Sequence, residues 1–316
     1  MKKGSNMSRS SKPIIQHIPD FLDWLDIEKG LVQKSQENYS RFLNKFTNWL
    51  KENNLEDLKP HELSPAHIWN YRVHLSRKAN LKKSTQNYYL IALRSLLNFF
   101  ANRNIICLPS EKIKLVRNKG ERQVKFLDLE QLKKLFNTPN TSKINGLRDR
   151  AILEILFSTG MRISELISLN KNQIRIKSNT TELELSIIGK GGRVRTVYFS
   201  QRAIKWLKKY LDTRKDNNPE LFINYYYKKG SGRRLSSRAI EKSLKKYVIE
   251  SGLPLTTTPH VMRHSFSTDL LNKGVDLRIL QEFLGHKSIL ATQIYAHVTN
   301  KKLKEVHKKF HGEQED

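Results

Sequence analysis

The sequence predicts a mainly α protein in two parts: a four-helix N-terminal domain, then a mostly helical C-terminal α+β domain with a small antiparallel sheet. Three observations carry this. From Ile14 to about Asn102, apolar residues recur at spacings of three and four, the period of an amphipathic helix. Residues 111–124 then lose any period and are dense in charge, as a linker is. Beyond them, two alternating stretches flank a glycine-rich turn, and helical periods resume.

Residues 1–13 are polar and rich in Ser and Lys, and are expected to be disordered. The helical domain runs over 14–110. Phe21, Leu22, Trp24, Leu25 and Ile27 open its first apolar face. Tyr39, Phe42, Leu43, Phe46, Trp49 and Leu50 form the second. A third helix starts near Ser64, which suits an N-cap, and Pro65, which suits the first helical position. A fourth follows Ser84, with Tyr88, Ile91, Leu96, Leu97 and Phe100 among its apolar residues.

The second domain spans 125–311. Asp128–Leu135 reads as a capped helix, and Leu147–Ser158 as another, ended by Gly160. Residues 183–188 and 193–199 alternate like strands around Gly189-Lys190-Gly191-Gly192, a hairpin signal. Helices follow at 201–212, 237–251 (ended by Gly252), 260–273 (ended by Gly274), 276–284 (ended by Gly285) and 288–296 (capped by Ser288).

With 316 residues the chain has room for one large or two ordinary domains. Its 58 Lys and Arg against 30 Asp and Glu give a formal net charge of +28, which opposes compaction and suits a polyanionic partner. Nucleic acid is the first candidate, because each neutralised phosphate releases counterions. Cys107, the one cysteine, can form neither an internal disulfide nor a cysteine zinc site. No apolar run approaches the roughly 18 residues of a membrane span, and Met1-Lys2-Lys3 leads into no apolar stretch. A cytoplasmic protein without membrane attachment is expected. His61-Glu62…His67 has the wrong spacing for a zinc-protease helix, and the 189–192 turn lacks the spacing of an ATP-binding loop. Neither metal nor cofactor is implied.

The residues that carry chemistry lie late in the chain. Arg162 stands in Thr159-Gly160-Met161-Arg162-Ile163-Ser164-Glu165, after Leu147-Arg148-Asp149-Arg150. His260 and Arg263 stand in His260-Val261-Met262-Arg263-His264, His286 in Leu284-Gly285-His286, and Tyr295 nine positions later. A tyrosine phenol, with a pKa of about 10, is a poor nucleophile unless cations surround the group it attacks. Arginine suits that task, because its planar fork donates to two phosphate oxygens and stays charged. Arg162 and Arg263 are the candidate clamp. His260, one helical turn before Arg263, can accept the tyrosine proton. His286 follows a helix stop that frees its ring to donate to the phosphate.

These blocks, in this order and at these intervals, resemble the tyrosine recombinases (phage-integrase family), most closely the Xer-type members. The resemblance covers nearly the whole chain from residue 14. It implies a SAM-like, core-binding first domain and a catalytic second domain ending in an exchange helix. It also implies that Tyr295 attacks a DNA phosphodiester to leave a 3′-phosphotyrosyl link, without metal or ATP. Lys190 would be the general acid for the leaving 5′ oxygen, and Glu165 would orient the activating histidine and arginine. The implied partners are double-stranded DNA and a homo-tetramer on two DNA sites, or a hetero-tetramer with a related recombinase, with an accessory protein as a further partner. Arg41, Lys45, Lys82, Lys83 and Arg94 in the first domain, and Arg193, Arg238 and Lys242 in the second, are candidates for DNA contacts. Two other readings use the same residues: relaxation by a type IB topoisomerase, and DNA binding without strand exchange.

Overall fold

The structure, a computed structural model, describes residues 7–116, 125–177, 179–189, 192–226, 233–285 and 292. The chain divides into two compact units, Met1–Gly120 and Glu121–Asp316.

The first unit is four helices: α1 (Ile18–Ile27), α2 (Gln33–Glu52), α3 (Pro65–Val73) and α4 (Lys83–Asn102). Ser64 Oγ accepts from the His67 N–H at the start of α3, and Pro65 takes the position where a missing N–H costs nothing. After α3 the chain winds wider over His74–Lys78, where the Ala79 N–H donates to the His74 carbonyl five residues back. The apolar faces close on an aromatic centre. Phe21 meets Phe99 edge-on at 5.8 Å, and Phe46 meets Tyr71 at 4.9 Å. Such pairs contribute about 0.5–1.5 kcal/mol each beyond the area they bury.

Two expectations for this unit need correction. Residues 7–13, expected to be disordered, are placed. The Ser8 N–H donates to the Asn104 carbonyl at 2.8 Å, the Ile106 N–H donates to the Ser8 carbonyl at 2.9 Å, and Ser10 Oγ bonds His17 at 2.8 Å. The chain leaving α4 turns at Asn104, with φ of 55°, and presents backbone groups that need partners. The start of the expected linker also belongs to this unit. Ile113 is fully buried in the helical core, and the Asn87 amide bonds both backbone groups of Val116. Burial of Ile113 outweighs the charge around it.

The second unit is built round α6 (Ile144–Thr159), whose residues are buried on nearly every side. Before it lies α5 (Leu129–Asn137), capped by Asp128, whose side chain and that of Gln131 satisfy each other's backbone N–H. After it come the short α7 (Ile163–Ser168) and an antiparallel hairpin, β1 (Leu183–Ile188) with β2 (Val194–Phe199), in a register that pairs Leu183 with Phe199 and Ile188 with Val194. Next are α8 (Gln201–Asp212) and a minimal second pair, β3 (Ile223–Asn224) with β4 (Arg233–Arg234). Then come α9 (Ser237–Glu250), α10 (Pro259–Asn272) and α11 (Leu277–Leu284). α6 packs against α8, α10 and β2. Helix α7 and the β3–β4 pair were not foreseen, because six residues and two residues are too few to display a period. Apart from Thr292, the expected helix 288–296 and the tail beyond it lie outside the described residues. Among the described residues, no helix is long and apolar enough to cross a membrane.

Candidate active site

The site forms where α6 ends. Gly160 closes the helix with φ of 58°, a left-handed conformation that a glycine adopts without cost. The turn delivers Arg162 to the N-cap of α7. Glu165 reaches back so that its Oε2 accepts the Arg162 backbone N–H at 2.7 Å, while its Oε1 accepts from the Arg162 guanidinium at 2.9 Å. Arg195, on β2, donates to both Glu165 oxygens at 3.0 and 2.8 Å. Burial alone pushes the Glu165 carboxyl up. The Arg195 hydrogen bonds, the Arg162 backbone N–H, the Arg195 charge and the Arg162 side-chain hydrogen bond overcome that and hold it at about 2. It is therefore ionised at any working pH.

Arg263 comes to the same corner from α10. Its side chain is buried and donates to the Gly160 carbonyl at 2.6 Å and to the Leu284 carbonyl at 2.5 Å. His260 lies one turn earlier and is exposed, with its ring edge-on to His264 at 4.8 Å. Partial loss of water around that ring, followed by the charges of Arg263 and Arg162, lowers its pKa. Both arginines thus stand near a histidine that is neutral at neutral pH and able to accept a proton. His264 is displaced further, to about 4, by burial first and then by His260 and Arg263.

The hairpin turn and the end of α11 meet on Arg195. The Gly189 N–H donates to the Arg193 carbonyl at 2.7 Å, and a Cβ at Gly189 would stand 3.2 Å from Arg195 Nη1. Arg195 Nε donates to the Phe283 carbonyl at 3.0 Å. Gly285 caps α11 with φ of 60°, and a Cβ there would lie 2.9 Å from Arg195 Cδ. A cleft of about 300 Å³ opens between Gly189, Arg193, Arg195, Gln281, Glu282 and Gly285. Lys190, His286 and Tyr295 lie outside the described residues. The neighbours of the first two in sequence, Gly189 and Gly285, lie against the same guanidinium.

Arg162, Glu165, His260 and Arg263 are therefore brought together. Arg195 was missed, because an arginine in an alternating strand looks like an ordinary solvent-facing residue. The usable signal was Glu165, a carboxylate at a helix start that needs more than one cation once buried. The neighbouring Arg148-Asp149-Arg150 run is structural. Arg148 bonds Asp149 and the Ile223 carbonyl, Asp149 accepts from Tyr247, and Arg150 bonds Glu154 and the Phe136 carbonyl. Among the described residues, no three His, Cys, Asp or Glu side chains gather as a metal site.

The other basic candidates are dispersed. In the first unit, Arg41 and Lys45 lie on α2, with Arg41 over the Phe42 ring and Phe42 stacked on the exposed Tyr88. Lys82 and Lys83 start α4, and Arg94 is on its fourth turn. In the second unit, Arg193 precedes β2, and Arg238 and Lys242 are exposed on α9.

Comparison with known proteins finds two family matches: residues 125–302 with the phage integrase family, and residues 18–104 with the phage integrase N-terminal SAM-like domain. The chain is 33% identical over 302 residues to the tyrosine recombinase XerD of Lacticaseibacillus casei, covering 93% of this chain and 98% of that one. It is 32% identical over 308 residues to the tyrosine recombinase XerC of Leptospira interrogans, covering 96% and 95%. In fold it is similar to the XerH recombinase in its pre-cleavage complex with difH substrate, with a TM-score of 0.71, 20% identity, and coverage of 96% of this chain and 98% of that one. It is also similar to the Tn1549 transposon integrase bound to transposon right-end DNA, with a TM-score of 0.70, 18% identity, and coverage of 93% and 99%.

Proposed function

The chain belongs to the phage integrase family as an Xer-like tyrosine recombinase, and from that membership we propose that it cuts and rejoins duplex DNA through a 3′-phosphotyrosyl intermediate on Tyr295. The observation that carries the reading is the convergence of Arg162, Glu165, His260 and Arg263 at the end of α6, where burial first and then the charges of Arg263 and Arg162 lower the histidine's pKa. In this mechanism the Tyr295 oxygen attacks the scissile phosphorus as its proton passes to His260. The bond to the 5′ oxygen breaks, and Lys190 protonates that oxygen. Arg162, Arg263 and His286 hold the non-bridging oxygens, where charge grows in the transition state and fixed donors count most. The covalent link conserves the bond energy, so a partner strand's 5′ hydroxyl reverses the step without ATP.

Double-stranded DNA is the partner, with four protomers on two sites, all of this chain or shared with a related recombinase. The cytoplasm is the expected setting. Topoisomerase-like relaxation and DNA binding without cleavage are not favoured, because relatives matching over nine-tenths of the chain are named as recombinases.

The test begins with duplexes selected from a random pool by the Tyr295→Phe protein. On nicked versions of them, the parent is expected to accumulate a covalent adduct that survives denaturant. Tyr295→Phe is expected to form none while binding equally well. Adduct in the variant removes Tyr295 from the nucleophile's role, and its absence in the parent overturns the strand-cleavage reading.

A further inference from the structure

The Glu165 carboxylate would be unstable where it sits without compensation, since its side chain is only 5% exposed and an unpaired charge is strongly disfavoured away from water. Arg162 alone does not account for it. The Arg162 side chain is 30% exposed and shares one guanidinium nitrogen with Glu165, whereas the Arg195 side chain is 9% exposed and takes both oxygens. The third donor of Arg195, Nε, holds the carbonyl of Phe283, three residues before His286. Its shaft lies under Gly285 and its fork under Gly189, both too close for a side chain to replace the glycine hydrogen without movement.

We infer that Arg195 is a positioning residue for strand cleavage: it locks Glu165 to the hairpin turn and to the end of α11, and leaves the charge of Arg162 available to a phosphate. This rests on the recombinase reading above. Two consequences are physical. One guanidinium sets the spacing of three chain segments, those that carry Arg162, Lys190 and His286. It also balances Glu165, which would otherwise cancel the positive charge of Arg162. Lysine cannot substitute fully, because a single ammonium lacks the fork that spans two oxygens while Nε reaches a carbonyl.

The experiment measures single-turnover cleavage of the selected nicked duplexes at saturating protein. Affinity for the intact duplexes is measured separately in the Tyr295→Phe background. Arg195→Met is expected to slow cleavage about 10²-fold, the order that a misplacement of about 1 Å produces, while affinity stays within about threefold. Arg195→Lys should recover part of that rate. If Arg195→Met does not fold, as judged by thermal melting, Arg195→Lys carries the same test: slower cleavage with unchanged affinity. Adding Glu165→Gln to Arg195→Met should cause no further loss and restore part of the rate, because it removes the uncompensated charge; two residues of one network are not additive. The inference is overturned by Arg195 variants that cleave like the parent, by cleavage and affinity that fall together, or by losses that multiply in the double variant. A parent that forms no adduct at all overturns the recombinase reading itself, and this inference with it.

Discussion

At the scale of single residues, burial and charge compete differently at Glu165 and at His264. For Glu165 the cations win, and its pKa falls from 4.5 to about 2. Its contribution to stability is therefore present above about 4.5 and is lost as pH falls toward 2. For His264 burial wins, reinforced by His260 and Arg263, and its pKa falls from 6.5 to about 4. Above pH 6.5 neither the folded nor the unfolded chain protonates this ring. Between 6.5 and 4 the unfolded chain takes up a proton that the folded chain refuses, so stability declines as pH falls through that window. His264→Gln is expected to lessen the decline of melting temperature between pH 7 and 4.5. His17, His74 and His260, also lowered, contribute to the slope that remains. Identical slopes in the parent and the variant would mean that His264 takes up its proton in the folded state as easily as in the unfolded one.

At the scale of elements, helix ends do more for the site than helix bodies. Gly160 and Gly252 both adopt left-handed conformations, at φ of 58° and 66°. Around Gly252 a Cβ would meet nothing within 4 Å, whereas at Gly160 it would lie 2.3 Å from the Phe266 ring. Gly252→Ala should therefore show only the conformational cost, about 1–2 kcal/mol. Gly160→Ala should lose roughly 1–3 kcal/mol more from overpacking against Phe266. It should also slow cleavage, because the Gly160 carbonyl holds Arg263. Denaturant titration of both variants decides the first point, and equal losses would show that the Phe266 ring yields freely.

At the scale of the whole molecule, 58 Lys and Arg against 30 Asp and Glu leave a formal net charge of +28. Many basic side chains are exposed in each unit, including Arg41, Lys82 and Lys83 in the first and Arg193, Arg238 and Lys242 in the second. Binding to duplex DNA should thus be steeply salt-dependent. For roughly 6–10 phosphate contacts, affinity is expected to fall on the order of 10³–10⁵ between about 50 and 200 mM salt. A flat response in a fluorescence titration would assign the charge to another purpose. Neutralising Lys82 and Lys83 together should lower the salt slope by about 1 per lost contact, without altering the cleavage rate at saturation.

Most of the described helices, the β1–β2 hairpin and many of their ends could be read directly from the chain, because they depend on local patterns. Apolar spacing places α2 and α4, Ser64-Pro65 starts α3, Asp128 caps α5, and Gly160 and Gly285 end α6 and α11. That Arg162, His260 and Arg263 belong to one site could be read as well, because residue type and order are preserved along a sequence. Tertiary structure alone decided which charges are buried and what they meet. Arg148, Arg150, Arg195 and Arg263 are the same residue type, yet two brace the core, one binds Glu165 and one spans Gly160 and Leu284. It also decided that Ile113 joins the helical core and that Ser8 pairs beside Ile105. The physical reason is common to all of these. A side chain's hydration and its partners come from segments tens of residues away, so local periodicity carries no record of them.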